Sequence, residues 1–280
     1  MLSLAELLDF RLFFLGALVF VPLERLLGAR RDQPALREHW RSDLVYVFAN
    51  GVVIRLGLAA VMVAALAASA LVVPESLRAA VQAQPLWLQL VEVLLIADFV
   101  FYLVHRLFHA VPALWRIHQV HHSIEEMDWL AAHRIHPVDQ IVTKGASLLP
   151  VFALGFSGWA IGAYALAYHW HTLLLHANLR LGFGPLRRLF TSPDFHHWHH
   201  CREREAWDRN YGTQLAIWDF LFGTAYLPSD RKAERFGIAE PVPAGYAAQL
   251  AHPFRRPGSA AGRGSGSATA AAAAVPASRP

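Results

Sequence analysis

The chain of 280 residues has little cysteine, little lysine and little charge. Its single cysteine, Cys201, excludes an intrachain disulfide and a metal cluster built on thiolates. Only 16% of the residues are charged, against about a quarter in an ordinary soluble domain. Hydrophobic residues make up 55% of the chain and the mean hydropathy is +0.31. This composition excludes a disordered chain and indicates a membrane protein.

The basic charge is almost entirely arginine. Only Lys144 and Lys232 are lysines among the 25 basic residues, and 21 acidic residues leave a net charge of +4. The arginines gather in loops beside apolar segments and do not follow one face of an element. The sequence therefore predicts no nucleic-acid partner.

Four apolar stretches predict an all-α membrane bundle. They are residues 12–23, with apolar sequence continuing to 27, then 44–73, 86–104 and 141–177. The second exceeds the ~20 residues that a helix needs to cross the hydrocarbon, so we expect one long span there. Pro150 and a glycine turn signal at 155–158 divide the last stretch, which predicts two short helices that enter the membrane and return. We expect four spans, or five when this pair counts as two.

The arginine distribution predicts the topology. Five arginines lie between the first two stretches, whereas the connection at 74–85 contains only Arg78; the five are Arg25, Arg30, Arg31, Arg37 and Arg41. By the positive-inside rule the first loop is cytoplasmic, so the third span returns to the cytoplasm at His105. We expect one membrane-embedded domain at 1–251 with a cytoplasmic helical cap. Residues 252–280 are rich in Ala, Gly, Ser and Pro and predict a disordered tail.

Histidine is the unusual component, because fourteen of the sixteen lie between positions 105 and 200. Residues three or four apart share a helix face, so each of three clusters can direct its imidazoles to one place. Neutral imidazole suits Fe, Zn, Cu and Ni. Eight rings exceed the needs of one ion, which predicts two metals. The clusters are His105 with His109; His118 with His121 and His122; and His196 with His199 and His200.

Other polar residues are candidates for the same site. His176 and, as a further candidate, His171 lie where the short helix pair returns to the cytoplasmic side. Asp98 and Asp208 are candidate acceptors for the second ring nitrogen of metal-bound histidines. The pattern leaves His133 and His136 open between metal binding and a loop role. We expect structural roles for His39, His169, His197 and His252.

The chemistry of such a site is restricted by missing motifs. The segment from His105 to His109 lacks the glutamate of a zinc-protease HExxH helix. The chain also shows no serine nucleophile motif, no phosphate-binding loop and no dinucleotide fingerprint, so we expect it not to bind NAD(P)H itself. Two histidine-bound redox metals at the end of an apolar bundle indicate O2 activation against a lipid C–H bond.

Two other functions remain open at this point. A zinc-dependent membrane hydrolase would need a carboxylate base near the histidines, for which Glu125 and Glu126 are the candidates. A non-catalytic metal transporter should have ligands distributed along a path through the bilayer, whereas these histidines cluster at one end of the apolar stretches.

Four segments resemble the sterol desaturase/fatty acid hydroxylase superfamily in its bacterial branch. They are DFVFYLVHRLFHAVPALWRIHQVHHS at 98–123, LLLHANL at 173–179, SPDFHHWHH at 192–200 and DRNYGTQLAIWDFLFGT at 208–224. The resemblance covers about 95–225. It implies an integral-membrane di-iron oxygenase that uses O2 to hydroxylate or desaturate a sterol, a fatty acyl chain or a related lipid.

The resemblance also implies the ligands and partners. Electrons would come from a separate carrier, either a cytochrome b5-like protein or a ferredoxin with its reductase, and zinc can replace iron in isolated protein. The implied location is a bacterial inner membrane with the active site facing the cytoplasm. The implied iron ligands, position by position, are His105, His109, His118, His121, His122, His176, His196, His199 and His200.

Overall fold

The structure, a computed structural model, describes residues 10–255, and its regular elements are helices accompanied by three isolated β-bridges. We number the helices in chain order. They are α1 (Arg11–Leu27), α2 (Trp40–Val72), α3 (Glu75–Gln82), α4 (Leu86–Ala110), α5 (Pro112–His122), α6 (Pro137–Ala153), α7 (Gly158–His176), α8 (Pro193–His199), α9 (Ile217–Leu221) and α10 (Tyr246–Ala251). Short 3-10 turns occur at Trp129–His133, Gly184–Arg188, Arg204–Ala206 and His252–Phe254.

Two described helices are long and apolar enough to cross a membrane. Helix α2 has 33 residues and α4 has 25. None of the most apolar segment of α2 is buried against protein, and only 28% of that of α4 is. An apolar surface of this extent indicates a membrane environment. The long second helix is thus present as predicted, with a π-helical turn at Tyr46–Asn50, and α4 continues past the predicted end at 104.

The apolar stretch at 141–177 forms the predicted pair of helices. Helices α6 and α7 have 17 and 19 residues and are separated by a turn in which Gly155 has a φ of +77°. Ser157 caps α7 by accepting a hydrogen bond from the backbone N–H of Ala160. At about 1.5 Å per residue, each helix is shorter than a ~30 Å hydrocarbon layer. The number of spans remains a prediction.

Glycine allows α2 and α6 to pack closely. A Cβ atom at Gly57 would lie 2.4 Å from the side chain of Ile141, and one at Gly145 would lie 3.2 Å from that of Val61. Helix α6 also packs on α4, which contacts α7. Since α4 carries the first histidine cluster, this packing brings the start of α6 next to it.

Short helices and loops form a cap beyond the C-terminal end of α4, and a buried ion-pair network joins two of its segments. Arg37 pairs with Asp43 at 2.5 Å and with Asp128 at 2.8 Å, and Arg134 pairs with Asp43 at 2.6 Å. Arg37 is only 2% exposed, so this arginine of the predicted cytoplasmic loop is a buried structural cation. The network ties the start of α2 to residues 128–134.

The C-terminal part of the described chain packs on the cap. Tyr46 donates to Gln249 of α10, and Arg116 of α5 donates to the carbonyl of His252. Pro253 is buried. The first residues of the predicted tail therefore form a packed turn, and its residues 256–280 lie outside the described part of the chain.

Candidate metal centre

The first histidine cluster lies on the last two turns of α4. His105 and His109 are one turn apart, and both are buried. Val111 leaves the helical conformation, and Pro112 occupies the first turn of α5. The chain therefore turns back immediately after His109, and α5 brings the second cluster next to the first.

The second and third clusters lie near the ends of short helices. The last two turns of α5 carry His118, His121 and His122. At α8 the Ser192 hydroxyl accepts from the backbone N–H of Phe195, and Pro193 follows this cap. His196 and His199 lie in α8, His200 follows it, and His176 is the last residue of α7.

These elements bring the nine predicted ligands into two groups. Within each group the candidate ligand atoms lie within 4.8 Å of one another, and every ring is buried. Clusters two and three each contribute to both groups, a division that the sequence did not predict. Group one consists of His105, His109, His118, His122 and His199; group two consists of His121, His176, His196 and His200.

An oxygen acceptor faces Nδ1 in six of the nine rings. Four acceptors are backbone carbonyls: Tyr211 for His105 (2.8 Å), Arg134 for His121 (3.0 Å), Thr172 for His176 (2.9 Å) and Arg209 for His199 (2.7 Å). Two are carboxylates: Asp139 for His118 (2.6 Å) and Asp208 for His109 (3.3 Å). A carbonyl can only accept, so Nδ1 carries the proton and Nε2 presents a lone pair.

The Nε2 atoms then face one another without protons between them. In group one the Nε2 atoms of His105 and His118 are 3.0 Å apart, and in group two those of His121 and His176 are 3.2 Å apart. Two lone pairs at this distance repel unless a cation lies between them. The Nε2 atoms of His109 and His199 are buried with no hydrogen-bond partner. This donor set fits one metal ion in each group.

Burial also favours the neutral form of the rings. Desolvation lowers the pKa of His118 to about 3. Desolvation, and to a smaller extent electrostatic repulsion from His118, lowers the pKa of His121 to about 4. Metal ions bind the neutral imidazole, so no proton has to leave these rings at pH 7.

The carboxylates have three different roles. Asp208 contacts His109, as predicted, although its side chain is 59% exposed. Asp139 was missed from the sequence: it lies in the first turn of α6, 21 residues from His118, and its side chain is only 1% exposed. Its position after a proline at a helix start was the available signal, but no local spacing joins it to His118.

Asp98 does not contact a candidate ligand, which corrects the prediction. Its oxygens accept from the backbone N–H groups of Gln214 (2.8 Å) and Leu215 (3.0 Å) and from the indole of Trp218 (3.1 Å). Through these three hydrogen bonds Asp98 anchors the chain just after Tyr211, whose carbonyl faces His105. Asp98 therefore acts on group one through this segment of the chain.

The remaining histidines lie outside both groups. His171, the further candidate ligand, donates through Nε2 to the carbonyl of Thr191 at 2.8 Å. His197 likewise donates to the carbonyl of Ala177, and His136 caps α6 through the backbone N–H of Val138. This placement gives none of the three a ligand position.

Aromatic rings surround group one, and a pocket adjoins it. The rings of Trp115 and Tyr211 lie 5.0 and 5.1 Å from that of His109. A pocket is lined by three ligand candidates, His109, His122 and His199, together with Trp115, Trp207 and residues 237–240. Trp115 was not singled out from the sequence.

Comparison with known proteins finds a matching family model and relatives for the segment that carries the histidines. Residues 90–224 match the fatty acid hydroxylase family model. Ornithine lipid hydroxylase OlsE of Rhizobium tropici is 35% identical over 174 residues, which are 62% of this chain and 53% of that protein. Human alkylglycerol monooxygenase is 33% identical over 146 residues, or 52% of this chain and 32% of that protein.

A fungal relative shows the same pattern of partial coverage. Fatty acid hydroxylase vlmA of Lecanicillium is 34% identical over 150 residues, or 46% of this chain and 40% of the relative. The chain thus spans about half or less of the lengths of these relatives. None of the solved structures matches the chain. Residues 90–224 are therefore similar to the fatty acid hydroxylase family, which confirms the predicted resemblance to the sterol desaturase/fatty acid hydroxylase superfamily.

Proposed function

We propose that the chain is an O2-dependent di-iron oxygenase that hydroxylates or desaturates a C–H bond of a membrane lipid. The observation that carries this proposal is the pair of buried groups in which imidazole lone pairs face one another at 3.0–3.2 Å. The family relationship supports a lipid-modifying oxygenase.

The protein contributes mainly the arrangement of its side chains. Two irons bound by the histidines would supply O2 activation and the removal of hydrogen from an unactivated carbon. The carbonyls of Tyr211, Arg134 and Thr172 hold the rings so that Nε2 faces the metal position. Trp115 and Tyr211 place aromatic ring surface beside His109 of group one.

Hydroxylation is favoured over desaturation, because the matching relatives are named hydroxylases and monooxygenases. Insertion of one oxygen atom into a C–H bond uses one O2, two electrons and two protons, and releases one water. We expect these electrons from a cytochrome b5-like protein or from a ferredoxin and its reductase.

The structure favours the oxygenase over the two other functions. Neither histidine group contains a carboxylate. Of the candidate bases for a hydrolase, Glu125 is exposed and Glu126 accepts from the backbone N–H of Glu38. A transporter would need ligands along the apolar helices, whereas both groups lie at the cap end of α4.

We also propose an inner-membrane location with the histidine groups on the cytoplasmic side. Cysteine labelling in a Cys201→Ser background tests this topology. A membrane-impermeant maleimide applied to whole cells should label Ser76→Cys, which precedes α4, and should leave Arg204→Cys unlabelled until the cells are opened. External labelling of Arg204→Cys would refute the topology.

Lipid mass spectrometry tests the reaction. A bacterial host expressing the chain should accumulate a lipid that has gained one oxygen atom, or lost two hydrogen atoms, compared with a host expressing the His121→Ala variant. Purified active protein should contain iron in both groups, and turnover should require O2 and a reductant. Turnover without O2, or active protein with a single metal ion, would refute the proposal.

A further inference from the structure

An open cavity lies between α1, α2, α6 and α7, and none of the nine candidate ligands lines it. Most of its wall is apolar and includes Phe13, Ile54, Leu58 and Leu173. The same wall contains Lys144, Arg55 and two histidines, but none of its residues is an aspartate or glutamate. Basic groups in an apolar cavity between candidate membrane helices indicate a binding role.

Lys144 places an ammonium group in this wall. It lies two turns into α6, and its ammonium group lies 5.2 Å from the ring centre of Tyr168. Within residues 10–255, no carboxylate forms an ion pair with it. An ammonium group in an apolar wall is costly without a counter-ion, so the site favours an anion.

Two half-buried histidines extend the polar part of the wall. The Nε2 atoms of His133 and His169 are themselves buried and have no hydrogen-bond partner. Burial, with smaller contributions from His169 and Lys144, lowers the pKa of His133 to about 3. A neutral imidazole there can donate one hydrogen bond to a bound anion without adding a second charge.

The cavity adjoins group two. Thr172 lines it, and the carbonyl of the same residue accepts from Nδ1 of His176. Ile135 also lines it and follows Arg134, whose carbonyl accepts from Nδ1 of His121. A molecule held in this cavity would therefore lie beside the residues that position two candidate ligands.

We propose that this cavity binds the acidic headgroup of the lipid substrate, a carboxylate or a phosphate, with Lys144 as its counter-ion. Calling the bound lipid a substrate rests on the proposed oxygenase function. The inference narrows the substrate class, because a sterol or an alkylglycerol has no anion to pair with Lys144.

Direct binding to the purified full-length protein tests the inference without requiring turnover. Scintillation proximity would compare radiolabelled palmitic acid and dipalmitoyl phosphatidate with their neutral counterparts, hexadecanol and dipalmitoylglycerol. We expect at least one acidic probe to bind about tenfold more tightly than its neutral counterpart, the difference that one charge-assisted hydrogen bond provides. The acidic probe that shows the preference identifies the anion as carboxylate or phosphate.

Three variants test whether Lys144 is responsible for the preference for acidic over neutral probes. Lys144→Met should abolish it, Lys144→Arg should retain most of it, and Arg187→Met, which removes an exposed cation outside the cavity, should leave it unchanged. Iron content measured in parallel reports on folding. Equal binding of acidic and neutral probes to the unaltered protein would overturn the inference, and so would a preference that survives in Lys144→Met.

The binding result and the proposed function can fail separately. Lys144-dependent binding of an acidic lipid in a protein that oxidises no lipid would refute the oxygenase and keep the binding site. Oxidation of lipids by a protein that shows no preference for acidic lipids would refute the binding site and keep the oxygenase.

Discussion

The two histidine groups use the same residue type but differ in what holds the rings and in what lies beside them. Group one depends on two carboxylates and on the carbonyls of Tyr211 and Arg209 in a cap loop. Group two depends on the carbonyls of Arg134 and Thr172. A pocket in the cap adjoins group one, whereas the cavity between the apolar helices adjoins group two.

Because of this difference, the two proposed metals should respond to different parts of the protein. Group one should be sensitive to the cap loop and to the carboxylates. Group two should be sensitive to the four helices around the cavity that Lys144 lines. Variants that affect one group and leave the other intact test this separation.

Loss of a ligand should have the largest effect. His121→Ala should remove the metal of group two, and His199→Ala that of group one, because each ring is a proposed direct ligand of its metal. Both variants should lose all lipid oxidation. Metal analysis of the purified proteins, with product detection by mass spectrometry, measures both effects.

The exposed histidine His39 provides the control. His39→Ala should keep both metals and full activity, since its ring belongs to neither group and its side chain is 46% exposed. Full activity in either ligand variant would show that the assignment of that ring is wrong.

The carboxylates should have intermediate and unequal effects. Asp139→Asn should lower the metal affinity of group one by about 10–100-fold, because Asp139 is buried and lies 2.6 Å from Nδ1 of His118. Asp208→Asn should have a smaller effect, since Asp208 is 59% exposed and its oxygen lies 3.3 Å from His109. Chelator competition measures the affinities. An effect of Asp208→Asn that equals or exceeds that of Asp139→Asn would contradict this ranking.

The smallest effect on turnover is expected at Asp98, which acts through a loop. Asp98→Ala leaves the backbone N–H groups of Gln214 and Leu215 without their acceptor, at about 1–3 kcal/mol for each buried donor. The variant should have a lower Tm, and a chelator should remove the metal of group one faster while that of group two is unaffected.

Glu92→Ala is the matched control, because Glu92 is an acidic residue of the same helix that contacts Gln84 and neither group. Equal acceleration of metal loss from both groups in Asp98→Ala would show that the loop does not act on group one alone.

Local spacing in the sequence was sufficient to predict the helices and the ligand candidates. The apolar stretches at 44–73 and 86–104 lie in α2 and α4, and the stretch at 141–177 divides into α6 and α7 near its glycines. The histidines of each cluster are three or four residues apart, so one helical turn already places them together.

Only the tertiary structure decided how these pieces combine. The division of nine rings into two groups depends on how α4, α5, α7 and α8 meet. The link from Asp139 to His118 crosses 21 residues, and the link from Asp98 to Leu215 crosses 117. The cavity around Lys144 likewise exists only where four helices pack together. Such contacts depend on the relative positions of whole elements, whereas the periodicity of a sequence specifies only the faces that each element presents.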